Sequence, residues 1–455
     1  MANLQGRRIC LSALAASAAL AFASSAGAAE KVVTMRGAPA PGPAKYDRVF
    51  VTKFGPASAR NVLVLMPGTV AGAGVFTLTG RYLVKKVPGL QVWAVDRRSQ
   101  ALEDTSMFAK ALSGRATPQQ AFDYYLGGGG YSFVDTSALP FAREWGMKVA
   151  LDDVRRVVQA ARRGGRTVFL GGHSLGASLT AAYAAWDFGG RPGYRDIAGM
   201  VLIDGGLLGS FDAYNLAQAR QQIDALSTGN PFADLINVGV PEATGLFAEI
   251  GGVFARLAPT ASAQVLQDYP LLPDRFDPGY PVTDRGLLGY AFDRDTSPAE
   301  LSLIHVNAGR LAGGGQACAG PCDWVDGGVT PIARLAATFG QEPSNGVEWF
   351  FPRRLTIDTN GADRMRQNAV ARFLGLRLAH TAQIDVPLYA IQTDLAGADV
   401  LGGARNLIGR SAITRREATL VNADPLFAHV DPLTAAPAKN RFFKTIVPFL
   451  KRYAR

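Results

Sequence analysis

A short segment around one serine has the composition of a turn that exposes a nucleophile. Positions 172–176 read Gly-His-Ser-Leu-Gly, after a short apolar run at 167–171 and before a run typical of a helix at 177–186. A tight turn between a strand and a helix holds the serine hydroxyl at the tip of a sheet, and glycines permit the close packing that this turn needs. The start of the helix also directs backbone NH groups towards a developing oxyanion. Such pentapeptides also occur by chance in unrelated proteins, but this context predicts that Ser174 is a nucleophile.

A serine hydroxyl needs a base to remove its proton, and one histidine lies where such a base is expected. His429 follows the last strand-like run, which ends at Ala423, and it precedes a helical pattern. Loops at the carboxyl ends of strands carry the catalytic groups of open α/β sheets. We therefore predict that His429 is the base, the alternative being a structural loop histidine. We expect His173 to pack beside the turn, and His305 and His380 to contact substrate or to pack within the fold.

The elements that must position these residues alternate along the chain. Short apolar and β-branched runs are separated by segments of helical spacing, which predicts a mainly parallel sheet covered by helices. The helical segments include 145–162, where apolar residues recur on one face, and 441–453, which Pro448 should kink or interrupt. The eight predicted strands are 32–36, 48–53, 61–66, 91–95, 167–171, 199–203, 388–393 and 419–423.

A long segment separates the sixth and seventh predicted strands. It contains about 180 residues, far more than a connection of ordinary length, so it must be a folded insertion. Helical patterns occur in it at 213–226 and 363–378. We predict that the chain divides into a first core segment at 29–204, the insertion at 205–383 and a second core segment at 384–455.

In its order of elements the chain resembles the α/β-hydrolase superfamily, from about Val32 to Ala454. The turn with the serine after the fifth strand, the late histidine and the insertion after the sixth strand all match. The resemblance implies an α/β-hydrolase fold, with a mostly parallel eight-stranded sheet, helices on both faces and a large cap or lid. It also implies a triad in the chain order serine, acid, histidine. These motifs are specific for fold and mechanism but not for the substrate.

The resemblance further implies an oxyanion hole made of two backbone NH groups. One belongs to the residue after the nucleophile, which here is Leu175. The other belongs to the loop after the third strand, where Thr69 is the best donor and Val70 the next. This sequence has Pro67 where the family often has histidine, and Gly68 permits the required turn.

Three aspartates could complete the triad, whose acid orients the histidine and stabilises its imidazolium. Asp204 ends the sixth predicted strand, Asp394 ends the seventh, and Asp399 follows in the same loop. Members of the family usually take the acid from the loop after the seventh strand, but neither Asp394 nor Asp399 falls at the commonest offset. Some members take it from the end of the sixth strand, where Asp204 fits without adjustment. We favour Asp204 and keep the other two as alternatives; each could instead cap a helix or pair with an arginine.

The amino terminus has the features of a secretory signal peptide at 1–28. Arg7 and Arg8 precede an apolar run at 9–23, and small residues at 26–28 fit a cleavage site. The run is shorter than the roughly 20 residues that a membrane span needs, so we predict cleavage and no stable membrane span. The mature protein is then exported to the periplasm or the extracellular space. The paired arginines also loosely resemble a twin-arginine signal.

The distribution of charge argues against a nucleic-acid partner, and the cysteines suggest a disulfide. The formal net charge is +10, but the basic residues are scattered, without the dense clusters and interleaved aromatic residues of a nucleic-acid groove. We therefore predict no nucleic-acid partner. In an oxidising compartment, Cys318 and Cys322 are expected to form a local disulfide. The histidines are too dispersed to predict a zinc site.

Together these features predict an exported serine hydrolase that cleaves carboxylic esters through an acyl-enzyme intermediate. The expected substrate is a small-molecule or lipid-like ester, no cofactor is expected, and the sequence does not indicate an oligomeric state. Alternatives are a peptidase or amidase with the same triad, and a non-catalytic binding protein on the same fold. Four aromatic residues of the insertion either suit an apolar substrate or form the insertion's own core: Phe247, Phe254, Tyr269 and Phe276.

Overall fold

The computed structural model of the protein describes residues 30–341, 344–395 and 397–454. The predicted signal peptide at 1–28 therefore lies outside the described residues. The described part contains an eight-stranded sheet and a separate two-stranded ladder. In chain order the strands are β1 (Glu30–Arg36), β2 (Arg48–Phe54), β3 (Asn61–Met66), β4 (Leu90–Asp96), β5 (Thr167–His173), β6 (Gly199–Ile203), β7 (Gly309–Leu311), β8 (Trp324–Asp326), β9 (Leu388–Gln392) and β10 (Ala418–Asn422).

The large sheet has the strand order β1-β2-β4-β3-β5-β6-β9-β10. The β1–β2 and β2–β4 pairs are antiparallel, and every other neighbouring pair in it is parallel. All eight predicted strands are present, which confirms the predicted mostly parallel sheet. Parallel strands end at the same edge of a sheet. The residues that follow β5, β6, β9 and β10 are therefore brought close together.

Both faces of the sheet are buried because side chains alternate along each strand. In β3, Val62 and Val64 pack with the helices at 147–161 and 175–185 on one face, whereas Leu63 and Leu65 pack with the helices at 77–86 and 441–453 on the other. The α-helices are α1 (Thr77–Lys86), α2 (Ser106–Leu112), α3 (Pro118–Tyr125), α4 (Met147–Ala161), α5 (Leu175–Ala185), α6 (Leu216–Thr228), α7 (Ala243–Leu257), α8 (Gln264–Gln267), α9 (Asp284–Phe292), α10 (Ile332–Phe339), α11 (Arg353–Ala362), α12 (Ala369–Leu374), α13 (Val400–Arg410), α14 (Asp431–Thr434) and α15 (Arg441–Tyr453).

Short 3₁₀ helices connect many of these elements. None is longer than six residues within the described ranges, as expected for a helix type with strained hydrogen-bond geometry. They comprise Ala44–Tyr46, Ala73–Phe76, Arg98–Leu102, Thr136–Ala138, Pro140–Glu144, Gly193–Asp196, Asp274–Phe276, Ala299–Ile304, Thr381–Gln383 and Arg415–Glu417.

One predicted helix is shorter in the structure, and another continues past a proline. The helix predicted at 363–378 is reduced to α12, because Asn368 caps its start by accepting the NH of Ala371 at 2.8 Å and Gly375, with φ at 74°, ends it. Pro448 does not interrupt α15, which continues to Tyr453. Because Pro448 is exposed, the carbonyl group that loses its partner there faces water.

The segment between β6 and β9 packs in two parts. Helices α6, α11 and α12 share one apolar cluster with α4 and α5 beside the sheet. Helices α7, α9 and α10 pack instead with residues from the long excursion between β4 and α4, including Phe108, Phe122 and Trp145. Cys318 and Cys322, predicted to pair, are joined by a disulfide between β7 and β8. No helix within the described ranges is both long and apolar enough to cross a membrane.

Candidate active site

The predicted nucleophile lies on the tight turn between β5 and α5. Ser174 has φ at 55° and ψ at −124°, a conformation that residues other than glycine rarely adopt. A Cβ atom on Gly172 would lie 2.3 Å from the carbonyl carbon of Gly176, and one on Gly176 would lie 2.0 Å from the carbonyl oxygen of Met66. The turn is also tied to β6, because the NH of Ser174 donates to the carbonyl of Ile203 at 2.8 Å. Both glycines are therefore needed for α5 to begin so close to β3.

An aspartate and a histidine from distant parts of the chain meet at the carboxyl edge of the sheet. Asp204 follows β6 and is fully buried, and one of its carboxylate oxygens lies 2.5 Å from Nδ1 of His429. Thr393, which follows β9, donates its NH to the other oxygen at 2.7 Å and its hydroxyl to the first. Burial raises the pKa of Asp204, but the hydrogen bonds from His429 and Thr393 together bring this pKa below its usual value. Asp204 is therefore a carboxylate, and Nδ1 of His429 must be the donor.

The second ring nitrogen of His429 is left as the basic one. Nε2 has no hydrogen-bond partner among the residues that the structure describes. Ser174 and His429 line the same cavity. A neutral imidazole whose Nδ1 carries the proton has its lone pair on Nε2. The arrangement can therefore remove a proton from a hydroxyl group inside this cavity.

His173 packs against the ring of His429 and hydrogen-bonds to its backbone. Its Nε2 lies 2.8 Å from the backbone carbonyl of His429, and the two ring centroids are 4.3 Å apart. Burial lowers the pKa of His173 to about 3, so the ring is neutral and Nε2–H donates to the carbonyl. The side chain packs beside the turn, as expected from the sequence. The same contact also makes it a positioning group for the loop of His429.

The loop that carries His429 is held by a buried aspartate that the sequence analysis did not single out. The carboxylate of Asp431 accepts the NH of Ala428 at 2.7 Å, the NH of Asn307 at 3.1 Å and the hydroxyl of Thr330 at 2.6 Å. Burial raises the pKa of Asp431 to about 7. Asn307 and Thr330 belong to the insertion, so Asp431 connects the histidine loop to it. No motif marks this residue, because its two partners in the insertion are more than a hundred positions away.

The other two aspartates considered for the acid lie away from the ring of His429. The side chain of Asp394 is about half exposed, and Arg294 lies 4.0 Å from its carboxylate. Asp399 caps α13, because its carboxylate accepts the NH of Gly402 at 2.8 Å. Of the three candidates, the structure brings Asp204 alone to His429.

The candidate oxyanion donors lie on the serine turn and on the loop after β3. Leu175 is the first residue of α5, and the first NH groups of a helix have no partner within the helix. Thr69 and Val70 follow β3 and line the cavity together with Ser174. Val70 has φ at 46°, so the loop turns sharply at this position. The structure therefore places Leu175 and both loop candidates next to the serine turn.

The loop after β3 is held by a buried ion pair that the sequence analysis missed. Arg97 follows β4, and its guanidinium pairs with the carboxylate of Glu348 in the insertion. The backbone NH of Glu348 in turn donates to the carbonyl of Val70 at 2.9 Å. Arg97 also donates to three loop carbonyls, at 2.7, 2.8 and 3.3 Å, those of Pro67, Gly68 and Ala71. Arg97 and Glu348 therefore fix the backbone that carries Thr69.

A segment of the insertion at 344–349 continues this contact along the loop. The NH of Gly72 donates to the carbonyl of Gly346 at 3.1 Å, and the NH of Gly74 donates to that of Asn345 at 2.9 Å. Ala71 and Val347 form an antiparallel bridge. The loop after β3 and the 344–349 segment are thus paired by their backbones.

The cavity above the serine is mainly apolar. Of the four aromatic residues singled out in the sequence, Phe247, Tyr269 and Phe276 line it. Phe254 is buried in the apolar core that the insertion shares with the excursion after β4. Three of the four residues therefore lie where a substrate could contact them, and the fourth belongs to a core. Asp284 is the one carboxylate among the lining residues.

The remaining histidines have structural surroundings. Nε2 of His305 lies 3.1 Å from the carbonyl of Pro298, and burial lowers the pKa of His305. His380 lies 3.6 Å from Asp187, and neither histidine lines the cavity. In the part of the chain that the structure describes, no cluster of three or more histidine, cysteine, aspartate or glutamate residues could hold a metal ion.

The strand order and the serine turn between β5 and α5 define the α/β-hydrolase fold, and this chain has that fold. No family model and no curated protein matches the chain. It is similar to the solved structure of a monoacylglycerol lipase from Paleococcus ferrophilus, with 12% identity over 89% of this chain and 99% of the other, at a TM-score of 0.41. It is also similar to an epoxide hydrolase from an endophytic Streptomyces, with 15% identity over 93% and 95% of the two chains, at a TM-score of 0.42. At these low scores, the fold is assigned from the topology of this chain itself.

The glycine after the serine can be tested by stability. We expect Gly176→Ala to lower the free energy of unfolding by more than about 2 kcal/mol, because the new Cβ would meet the backbone of Met66 and Pro67. Gly409→Ala in α13 is the matched control, since its Cβ would meet nothing within 4 Å, and we expect it to be neutral or to stabilise the protein by about 0.5–1 kcal/mol. Urea unfolding of both variants measures the difference. Equal stability of the two variants would contradict the packing described here.

The buried neutral ring of His173 should make stability depend on pH. Its pKa is about 3 in the folded protein and about 6.5 when unfolded, so the unfolded chain binds the additional proton between these values. The stabilisation is fully present above pH 6.5 and is lost as the pH falls towards 3, by about 1.4 kcal/mol per pH unit below pH 6.

The variant His173→Gln isolates this contribution, because it removes the titrating group and keeps a donor for the carbonyl of His429. Urea unfolding at pH 6.5 and pH 5 should show a larger loss for the wild type than for the variant. Other buried groups, such as Asp431, also make stability depend on pH in this range. Their contribution is the same in the wild type and the variant, so it cancels when the two proteins are compared. Identical pH slopes for the two proteins would rule out a buried, neutral His173.

Proposed function

We propose that this protein is an exported serine hydrolase that cleaves carboxylic esters through an acyl-enzyme intermediate. The observation that carries the proposal is the 2.5 Å contact between the buried Asp204 and Nδ1 of His429, beside the cavity that contains Ser174. Export is supported by the signal-like sequence at 1–28. Within the proposal, Ser174 is the nucleophile, His429 the base and Asp204 the acid of the triad.

The first half-reaction forms the acyl-enzyme. Oγ of Ser174 attacks the carbonyl carbon of the ester while Nε2 of His429 takes its proton. The carbonyl oxygen becomes negatively charged and accepts hydrogen bonds from the NH groups of Leu175 and Thr69. The bond between the carbonyl carbon and the alcohol oxygen then breaks, and His429 returns the proton to the leaving alcohol. Asp204 keeps the ring in the required tautomer throughout and stabilises its protonated form.

The second half-reaction releases the acid. A water molecule attacks the carbonyl carbon of the acyl-enzyme, and His429 takes a proton from it. The same NH groups stabilise the second tetrahedral intermediate. When this intermediate collapses, the proton passes to Oγ of Ser174, and the carboxylic acid leaves. The enzyme is then ready for another ester.

The lining of the cavity supports an ester with a large apolar part, either a small molecule or a lipid-like compound. Most of the lining side chains are aliphatic or aromatic, including Phe122, Phe247, Phe276 and Phe292. Burial of apolar substrate surface against such side chains favours binding by about 25 cal/mol for each Å² removed from water. A peptide would bring backbone NH and carbonyl groups into this cavity, where few partners are available to satisfy them. The apolar lining therefore favours an ester over a peptide.

The triad is tested with p-nitrophenyl esters and with a fluorophosphonate probe that labels activated serines. We expect Ser174→Ala and His429→Ala to lower kcat/KM by at least about 10³-fold, and Asp204→Asn by a similar factor, because each removes one part of a single proton-transfer unit. Ser174→Ala should also abolish labelling. Comparison with p-nitroanilides separates an esterase from an amidase.

The two other aspartates provide matched controls for this test. Asp394→Asn and Asp399→Asn make the same chemical change outside the contact with His429. Both should keep kcat/KM within about threefold of the wild-type value, since surface substitutions rarely alter the site. A folded wild-type protein that neither reacts with the probe nor cleaves any ester would refute the proposed function.

The ion pair behind the oxyanion loop should affect kcat more than KM. We expect Arg97→Met and Glu348→Gln to lower kcat by at least about tenfold, with a much smaller change in KM, because the loop NH binds charge that develops only in the transition state. Steady-state kinetics with one p-nitrophenyl ester measures both constants. Arg81→Met is the control, because it removes an arginine from an exposed ion pair with Glu30. A rise in KM at unchanged kcat would show that the pair does not position the loop for catalysis.

A further inference from the structure

One carboxyl group in the cavity has no role in the proposed triad. Asp284 is the first residue of α9, and only 2% of its surface is exposed. Its Oδ1 is buried without a hydrogen-bond partner among the described residues. The nearest candidate cation in sequence, Arg285, is bound to Asp323 instead. A buried carboxyl group without a partner is costly to keep, so its presence needs an explanation.

Capping of its own helix does not explain Asp284. The cap of α9 is Thr283, whose hydroxyl accepts the NH of Gly286 at 3.1 Å. The carboxyl group of Asp284 makes no such bond, and burial alone raises its pKa to about 7. Neither a helix cap nor an ion pair within the described residues accounts for the position of this side chain.

The side chain belongs to the stripe of α9 that faces the cavity. Asp284, Leu287, Leu288 and Ala291 are spaced as residues on one face of a helix, and all four line the cavity. The other three are apolar. Asp284 therefore places a single polar group on an otherwise apolar wall.

Asp284 lies at the start of α9, opposite the end of the helix that is connected to the loop of His429. The other end of α9 is next to the loop of His429, because the carbonyl of Phe292 accepts the NH of Val306 and the carbonyl of His305 accepts the NH of Val430, each at 3.0 Å. Between Asp284 and Phe292 the helix rises by about 12 Å, at 1.5 Å per residue. A ligand group that reaches Asp284 must therefore be well separated from the reacting carbonyl.

We propose that Asp284 is a specificity-determining residue that binds a hydroxyl group on the part of the ester most distant from the scissile bond. The proposal rests on the proposed function, since it defines one end of the substrate by the triad. A hydroxyl group both donates and accepts, so it satisfies a carboxyl group in either protonation state. It also brings no charge into a cavity whose lining is mainly apolar. The substrate class is thus a long-chain hydroxylated ester.

The test compares p-nitrophenyl esters of ω-hydroxy acids with unsubstituted esters of matched length, over a series of lengths. For the wild type we expect kcat/KM to be at least about tenfold higher for the hydroxylated member at the best length, because a buried polar group discriminates against a ligand that leaves it unpaired. Asp284→Leu should reverse this preference, whereas Asp284→Asn should keep most of it. Asp274→Leu, a substitution of an exposed acidic residue at the start of another short helix, should leave it unchanged.

Several outcomes would overturn the inference while leaving the proposed function intact. These are ester hydrolysis without any preference for the hydroxylated series, a preference that survives in Asp284→Leu, and a stronger preference for ω-amino esters. Labelling by the fluorophosphonate probe checks that each variant retains a folded site. If no ester is cleaved, the proposed function fails, and calorimetric titration of ω-hydroxy and unsubstituted fatty acids into Ser174→Ala, with and without Asp284→Leu, still decides whether Asp284 binds the hydroxyl group.

Discussion

The hydrogen bond between Asp204 and His429 is the interaction on which the rest of the site depends. It joins the end of β6 to the loop after β10, across the end of β9, where Thr393 donates twice to the same carboxylate. An isolated carboxylate would be strongly disfavoured at full burial, and these donors are what keep it ionised. The carboxylate of Asp204 therefore needs β6, β9 and β10 to be neighbours, because this order brings its hydrogen-bond donors within reach.

Further buried polar groups hold the flanking loops in place. Asp431 ties the histidine loop to the insertion, and Arg97 with Glu348 ties the loop after β3 to the same insertion. Such contacts are worth little at a surface, but in a dry interior the loss of one partner leaves the other unpaired. The segment between β6 and β9 therefore supplies partners to two of the loops that border the cavity.

Much of this arrangement could be predicted from the sequence, because it depends on patterns within short segments. The eight strands of the sheet follow from runs of apolar and β-branched residues, and the serine turn follows from its two glycines. The structure also brings Asp204, the favoured candidate, to His429. What the sequence could not indicate are contacts between residues far apart in the chain, such as those of Arg97, Glu348 and Asp431. The division of the insertion into two packing groups, and the shortening of α12 by Asn368 and Gly375, likewise depend on context that periodicity alone does not encode.

The backbone pairing between the loop after β3 and the 344–349 segment has a consequence for how the cavity can be reached. A cover that swung away as one rigid body would separate the two paired segments, break the hydrogen bonds of Gly72 and Gly74, and release the strand of backbone that presents the candidate oxyanion donors. Such a motion would open the cavity and, at the same time, displace the loop after β3. Substrate entry that preserves these hydrogen bonds must instead come from local rearrangement of elements outside the 344–349 segment.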